Sequence, residues 1–338
     1  MSTITILGAG AMGSAIATPL SDAGHRVRLW GTHLDDHLIA AVRDGKPHPR
    51  TKVPLADGVA TFLAGDLEAA LDGTDLVVLA VSSVGVIDIT RLAASHLLEA
   101  QAILLTSKGF APDQDGRITL LPQAVEAQLV VPRPVVAVGG PCKANEVAAR
   151  RPTAAIFAAA DGAQEWARFA TTEAYRVANT PDRDGVELCA ALKNVYAIAL
   201  GIADGLGERG GEPYHDLKAA AFAQALAELR QLLAAEGADP WTALGLAGAG
   251  DLEVTGLSGR NKVYGTRLGA GQAADVALAE MVAAEQTVEG VPAVALAVTF
   301  IQQRHPELAA ELPLLHAIHA VVHEGADLQH IINAALPR

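Results

Sequence analysis

A short run of β-formers, Thr3–Leu7, leads directly into Gly8-Ala9-Gly10-Ala11-Met12-Gly13, and an apolar helical pattern begins at Met12. Few local sequences restrict a chain so strongly. Gly8 permits a tight turn at the strand end, Gly10 lets a pyrophosphate approach the backbone, and Gly13 allows the helix to lie close on the strand. The helix N-terminus then presents unpaired N–H groups to a phosphate. A second strand, Arg26–Trp30, closes the unit. The same letters also suit a plain strand-to-helix turn, but three glycines in register favour dinucleotide binding.

The rest of the chain falls into two regimes. Up to about Ala178, strand-like runs at Val59–Leu63, Leu76–Val81, Ala102–Thr106, Val135–Val138, Ala154–Phe157 and Tyr175–Ala178 alternate with helical patterns at Met12–Ala23, Leu34–Arg43, Val84–Leu98 and Ala163–Ala170. Such alternation requires crossover connections and therefore a mostly parallel sheet covered on both faces. Beyond Asp184 the pattern is helical: Asp184–Ala203, Leu217–Glu236, Val276–Ala284, Val294–Gln303 and Leu314–Glu324 are Ala/Leu-rich at helical spacing. The predicted fold is α/β, a Rossmann-type dinucleotide-binding domain over residues 1–180 followed by an all-helical substrate-binding and catalytic domain over 181–338. Asn179-Thr180-Pro181-Asp182 is the expected junction, because a residue before proline resists helix. With 338 residues, 51% hydrophobic and 19% charged, there is enough apolar material for two cores.

Charge excludes some functions. The chain has 25 Lys and Arg against 38 Asp and Glu, a formal net charge of −13, which argues against a nucleic-acid surface. No apolar run reaches the roughly 18 residues of a membrane span, and Met1–Leu7 lacks a basic leader region, so a cytoplasmic protein is expected. Cys142 and Cys189 have no companions at metal-site spacing, so neither a disulfide framework nor a structural metal is expected. His25, His33, His37, His48, His96 and His215 likewise lack metal-site partners and read as loop or surface residues.

Three further features carry chemistry. The second strand ends Leu29-Trp30-Gly31-Thr32-His33, without the carboxylate that would accept from a ribose 2′-OH, while Thr32, Arg43, Lys46 and Arg50 offer polar and cationic groups. This favours NADP over NAD. In the stretch Leu188–Ala203 the one formally charged residue is Lys193. An ammonium on an all-apolar helix must face a polar cavity, find a carboxylate or lower its pKa from about 10.4 toward roughly 7–8, where it can move protons. A catalytic lysine, a lysine that snorkels to the surface and a structural ion pair all satisfy that requirement. Finally, glycines at 245, 248, 250, 256 and 259 place Asp251, Thr255, Arg260 and Asn261 on expected tight loops or helix starts, suited to a small anionic ligand.

The motifs, taken in order, resemble those of NAD(P)-dependent sn-glycerol-3-phosphate dehydrogenases. They are the Gly8–Gly13 turn, Leu29-Trp30-Gly31, Ser107-Lys108-Gly109, Gly139–Val147, Ala191–Ile198, Gly248–Leu252, Gly259-Arg260-Asn261 and Val288-Glu289-Gly290. Gly31-Thr32 and His48-Pro49-Arg50 are closest to the archaeal NADP-using branch. The resemblance spans nearly the whole chain. It implies hydride transfer between nicotinamide C4 and C2 of dihydroxyacetone phosphate or sn-glycerol 3-phosphate, a homodimer, and a product that feeds glycerophospholipid synthesis. Lys193 matches the proton-transferring lysine, Lys108 a lysine that polarises the carbonyl, and Asp251 an aspartate that orients them. Arg260 and Asn261 match the phosphate grip, with Thr255, Asn194 and Gly140 also on the substrate side. The cofactor is implied to contact Gly8, Gly10, Ala11, Met12, Gly13, Thr32, Arg50, Lys108, Ala144, Arg260 and Glu289.

Departures from the family pattern occur at Cys142 and Lys143, where a thiol stands for a hydroxyl and a cation appears, at Tyr214–Glu228, and at Gly259, which replaces a serine. A sibling dehydrogenase acting on another phosphorylated polyol or hydroxy acid, and a non-catalytic NADP sensor, are the alternatives. Cys189, one helical turn before Lys193, reads as a core residue rather than a nucleophile.

Overall fold

The computed structural model describes residues 1–337. The described residues form ten strands: β1 (Thr3–Leu7), β2 (Arg26–Trp30), β3 (Ala60–Phe62), β4 (Leu76–Leu79), β5 (Ala102–Leu105), β6 (Phe110–Pro112), β7 (Ile118–Leu120), β8 (Val135–Gly139), β9 (Thr153–Ala158) and β10 (Tyr175–Thr180). Eight of them form one sheet in the order β10-β9-β8-β5-β4-β1-β2-β3, and β6 pairs with β7. Every described pairing in the large sheet is parallel except β8 with β9.

The sheet is buried on both faces, which explains why its strands read as apolar runs. Ile4, Ile6, Leu76 and Val78 join Ile16 and Leu20 of the Ala11–Asp22 helix in one core. Their alternates Leu7, Val77 and Leu79 join Leu67, Val86 and Leu121 in the other. The order also fixes where a ligand binds. The chain runs from β1 outward to β2 and β3, then returns to lay β4 on the opposite side of β1. Leu7 is in register with both Trp30 and Leu79, so these three strands end at one level, at the switch point where open α/β sheets bind nucleotides.

The chain forms two compact units: Met1–Ala111 with Leu120–Glu187, and Pro112–Thr119 with Leu188 onward. β10 and the 28-residue helix Arg183–Gly210 are separated by Pro181-Asp182, where the junction was expected. The compact division instead falls inside that helix, because its first turns are anchored in the first unit. Arg183 reaches Glu126 at 2.5 Å, Gln123 donates to Asp184 at 3.1 Å, and Glu187 accepts from the Gly109 N–H at 2.9 Å. Arg183–Gly210 is the one described helix long and apolar enough to cross a bilayer, and its most apolar window is wholly buried in the protein.

The second unit is mostly helical, as expected. Of the two placements expected for the glycine-rich run from Gly245 to Asn261, tight loops or helix starts, Asp251 and Arg260 take the second, and Thr255 lies within a helix. Leu246–Gly250 forms a π-type turn that continues into the helices Asp251–Ser258 and Arg260–Gly269. These glycines serve close packing: a Cβ on Gly248 would lie 2.0 Å from the Ala243 carbonyl, and one on Gly256 2.6 Å from Leu200. The same device joins helices Arg183–Gly210 and Arg260–Gly269. Cβ atoms on Gly201 and Gly205 would meet the Lys262 and Thr266 carbonyls at 2.1 and 2.0 Å, and one on Gly265 would meet the Ile198 carbonyl at 2.0 Å. Backbone thus lies on backbone, which brings the start of one helix beside the middle of the other.

Candidate active site

In the first unit the glycine turn has the geometry its letters require. Gly8 has φ +111°, and a Cβ there would stand 2.8 Å from Val81. On Gly13 a Cβ would be 1.9 Å from the Gly8 carbonyl, so the helix can lie this close only with glycine. Around Gly10 the one atom within 4 Å of such a Cβ is Arg50 Nη1, at 3.7 Å. Ala11 and Met12 open the helix, and its first turn holds no acidic residue. An open backbone face, a first helical turn without acidic residues of its own and an adjacent guanidinium fit the pyrophosphate of a dinucleotide.

A network missed by sequence reasoning holds this turn. Asp35, 7% exposed, accepts at one carboxylate oxygen from Ala9 N–H (3.3 Å), Thr32 N–H (3.1 Å) and Thr32 Oγ1 (2.9 Å). A carboxylate therefore does stand beyond β2, committed to protein donors, and the Thr32 hydroxyl donates to it. His48 is 1% exposed, not a surface residue, and its Nε2 lies 2.9 Å from the Ala9 carbonyl. His25 is also more than a loop residue: its ring stacks on Phe169 at 3.8 Å, with Nε2 2.8 Å from the Phe169 carbonyl. Neither signal was visible locally, since each partner comes from a distant segment.

Lys108 is half-buried on the turn after β5. Ser107 Oγ donates to the Val81 carbonyl at 2.6 Å, and Gly109 N–H donates to Glu187. Burial pushes the Glu187 carboxyl up to about 8, opposed by the Gly109 hydrogen bond and by Lys108. At the end of β8, Gly140 has φ +105°, and Ala144 begins a short helix. The Cys142 thiol lies 3.6 Å from the Ala154 carbonyl and interacts with buried Tyr175, so the thiol takes part in sheet packing. Lys143 pairs with Glu146 at 3.8 Å.

In the second unit the lone charge of the apolar helix finds its partner: Lys193 Nζ donates to Asp251 Oδ1. Asp251 is the first residue of its helix and its side chain is 1% exposed, whereas Lys193 keeps 11%, so the accessible member is the lysine. Next to Lys193, Asn194 accepts from Asn261 Nδ2 at 2.9 Å and donates to Glu289 at 3.1 Å. Asn261 Oδ1 in turn accepts from Gly290 N–H at 2.8 Å. Asn194 and Asn261 are 6% and 5% exposed. Thr255 lies one turn beyond Asp251 and donates to its carbonyl at 2.6 Å. Arg260 is exposed at the first position of its helix, where N–H groups lack intrahelical acceptors. The structure therefore gathers Lys193, Asn194, Asp251, Thr255, Arg260, Asn261 and Glu289 in this unit, and Gly8, Gly10, Ala11, Met12, Gly13, Thr32, Arg50, Lys108, Gly140 and Ala144 in the other. Cys189 is fully buried. A cavity of about 860 Å³ lies among the C-terminal helices beside His316, His319 and His330 and includes none of these residues.

A doubly wound sheet with a phosphate-ready glycine turn, together with a lysine–aspartate pair on a helical unit, defines a nicotinamide-nucleotide-dependent dehydrogenase. Family models for the NAD-dependent glycerol-3-phosphate dehydrogenase N-terminus and C-terminus match residues 3–165 and 182–333. The chain belongs to the NAD-dependent glycerol-3-phosphate dehydrogenase family. It is 35% identical over 332 residues, 97% of each chain, to the NADP(+)-dependent glycerol-3-phosphate dehydrogenase of Archaeoglobus fulgidus. It is 38% identical to the glycerol-3-phosphate dehydrogenase (NAD(P)+) of Symbiobacterium thermophilum, covering 95% of this chain and 90% of the other. The crystal structure of glycerol-3-phosphate dehydrogenase from Coxiella burnetii superposes with a TM-score of 0.85 at 30% identity, covering 100% of this chain and 99% of that one.

Proposed function

We propose that this chain interconverts dihydroxyacetone phosphate and sn-glycerol 3-phosphate, using NADP(H) in preference to NAD(H). When bound, the nicotinamide supplies or accepts the hydride. The chain's own residues manage the proton and the anion. Lys193 protonates the oxygen on C2 as the carbonyl is reduced and recovers that proton in oxidation, and a cation there stabilises charge growing on oxygen. Asp251 aims the ammonium through its hydrogen bond, and Lys108 polarises the carbonyl. Arg260, Asn261 and the N-terminus of their helix grip the phosphate, whose binding energy holds C2 in place. Asn194, Thr255 and Gly140 complete the substrate side.

Gly8, Gly10, Ala11, Met12 and Gly13 receive the nucleotide's pyrophosphate. Thr32, Arg50, Lys108, Ala144, Arg260 and Glu289 are its further contacts. The commitment of Asp35 to protein donors supports NADP as the preferred form. Domain roles follow the same division, nucleotide binding in residues 1–180 and catalysis in 181–338. A cytoplasmic homodimer supplying glycerol 3-phosphate to glycerophospholipid synthesis completes the reading.

The observation that carries it is the Lys193–Asp251 pair next to the Asn194–Asn261–Gly290 network. The purified enzyme should oxidise NADPH when given dihydroxyacetone phosphate. Lys193→Ala should lower kcat by about 10²- to 10⁴-fold, the usual worth of a general acid, with NADP+ affinity kept. Full activity of the variant would remove Lys193 from the mechanism. Turnover with only a different carbonyl compound would replace the substrate.

A further inference from the structure

The histidine beneath the glycine turn has a specific task. His48 uses both ring nitrogens on backbone groups: Nε2 meets the Ala9 carbonyl at 2.9 Å, and Nδ1 accepts from the Arg50 N–H at 3.3 Å and the Thr51 N–H at 3.4 Å. Those two N–H donors require an unprotonated Nδ1, so the ring is the neutral tautomer with its proton on Nε2, donating to Ala9. Asp35 holds the N–H of the same Ala9. One residue of the turn is thus tied through its N–H to Asp35, and through its carbonyl and an imidazole to the backbone of Arg50. The guanidinium of Arg50 stands beside Gly10, where the backbone is otherwise open.

We propose that His48 is a positioning residue for nucleotide binding: it spaces Arg50 from the Gly8–Gly13 turn, so that guanidinium and helix N-terminus face one phosphate-bearing ligand together. The inference rests on the reading of Arg50 as a phosphate contact. It also sets a pH dependence. Burial keeps the His48 pKa below the ordinary histidine value, with Arg50 and His37 pushing the same way and Asp35 and the Ala9 hydrogen bond opposing. Above that pKa the clamp is intact. Below it, Nδ1 carries a proton that points at two N–H donors, and the Arg50 segment is displaced.

The test is equilibrium binding of NADP+ by calorimetry, without turnover. Arg50→Ala and His48→Ala should each weaken NADP+ by about tenfold, the worth of roughly 1.4 kcal/mol of phosphate contact. The double variant should be no weaker than Arg50→Ala, because His48 acts through Arg50. His48→Gln, which retains one donor and one acceptor, should recover most of the affinity. Unchanged binding by Arg50→Ala would overturn the reading of Arg50 itself. Weakened binding by Arg50→Ala with an additive or absent effect of His48→Ala would overturn the positioning role alone. A second measurement applies if His48→Ala fails to fold. The ratio of wild-type to His48→Gln affinity should hold steady down to the ordinary histidine value of 6.5 and fall only at lower pH, as the buried ring takes up its proton. Titration of the nucleotide's own phosphate cancels in that ratio, and a flat ratio would overturn the proposal.

Discussion

In the proposed function, Arg260 is the residue on which recognition of a phosphorylated substrate depends most directly. Its side chain is exposed at the first position of a helix, so it can approach an incoming dianion without first losing a buried partner. Arg260→Ala should reduce kcat/KM for glycerol 3-phosphate by about 10- to 100-fold, the range for charge-assisted hydrogen bonds of about 1.5–3 kcal/mol. It should change any turnover of unphosphorylated glycerol far less. Steady-state kinetics with both alcohols checks this, and an equal loss on both would show that the guanidinium does not read the phosphate. Arg260 and Lys193 were legible in the sequence because each is a charge out of keeping with its neighbours. Asp35, His48 and Glu187 were not legible. Their roles come from hydrogen bonds to peptide groups 26, 39 and 78 residues away, and a peptide group leaves no mark in the sequence.

At the scale of elements, long periodic segments were readable and short ones were not. Ala163–Ala170 appears with the limits its pattern gives, and the buried strands of the large sheet occur where their apolar runs lie. Leu67–Leu71, Ala144–Ala148 and the β6–β7 pair span too few residues to establish a period. The run Gly245–Asn261 left loop and helix start both open, since glycine required by a turn and glycine required by a neighbouring backbone look alike in sequence. The start of helix Arg183–Gly210 also carries a testable property. Glu187 titrates near 8 in the folded protein, well above a solvated carboxyl, because it is buried. Folded chain therefore holds this proton through a pH range in which unfolded chain has released it, so stability falls as pH rises from about 4.5 to about 8. One such group contributes a slope of up to about 1.4 kcal/mol per pH unit. Glu187→Gln keeps an acceptor for the Gly109 N–H and removes the titration, so its urea midpoint should decline less than wild type between pH 5 and 8. Parallel profiles would show that the carboxyl is not protonated in the fold.

At the scale of the whole molecule, two anionic ligands must be held by a protein of net charge −13, and each binds where local groups outweigh that field. The groups assigned to the nucleotide's pyrophosphate lie in the first unit, at a helix N-terminus beside Arg50. Those assigned to the substrate phosphate lie in the second, at the Arg260–Gly269 N-terminus. N–H groups in a first helical turn have no intrahelical acceptor, so they exchange with solvent readily until a ligand oxygen accepts from them. Hydrogen exchange read by mass spectrometry therefore separates the two roles without catalysis. NADP+ at about 100 times its Kd should slow exchange at residues 8–14 by up to about 100-fold, the factor that mass action allows for amides that open only in the free form. Glycerol 3-phosphate, added alone at the same multiple of its own Kd, should protect residues 259–263 and leave residues 8–14 unchanged. Protection of the glycine turn by glycerol 3-phosphate alone, or its failure to respond to NADP+, would contradict the assignment. The motif that opens the chain would then be a fold element without a ligand, and the charge on Arg50 would need another explanation.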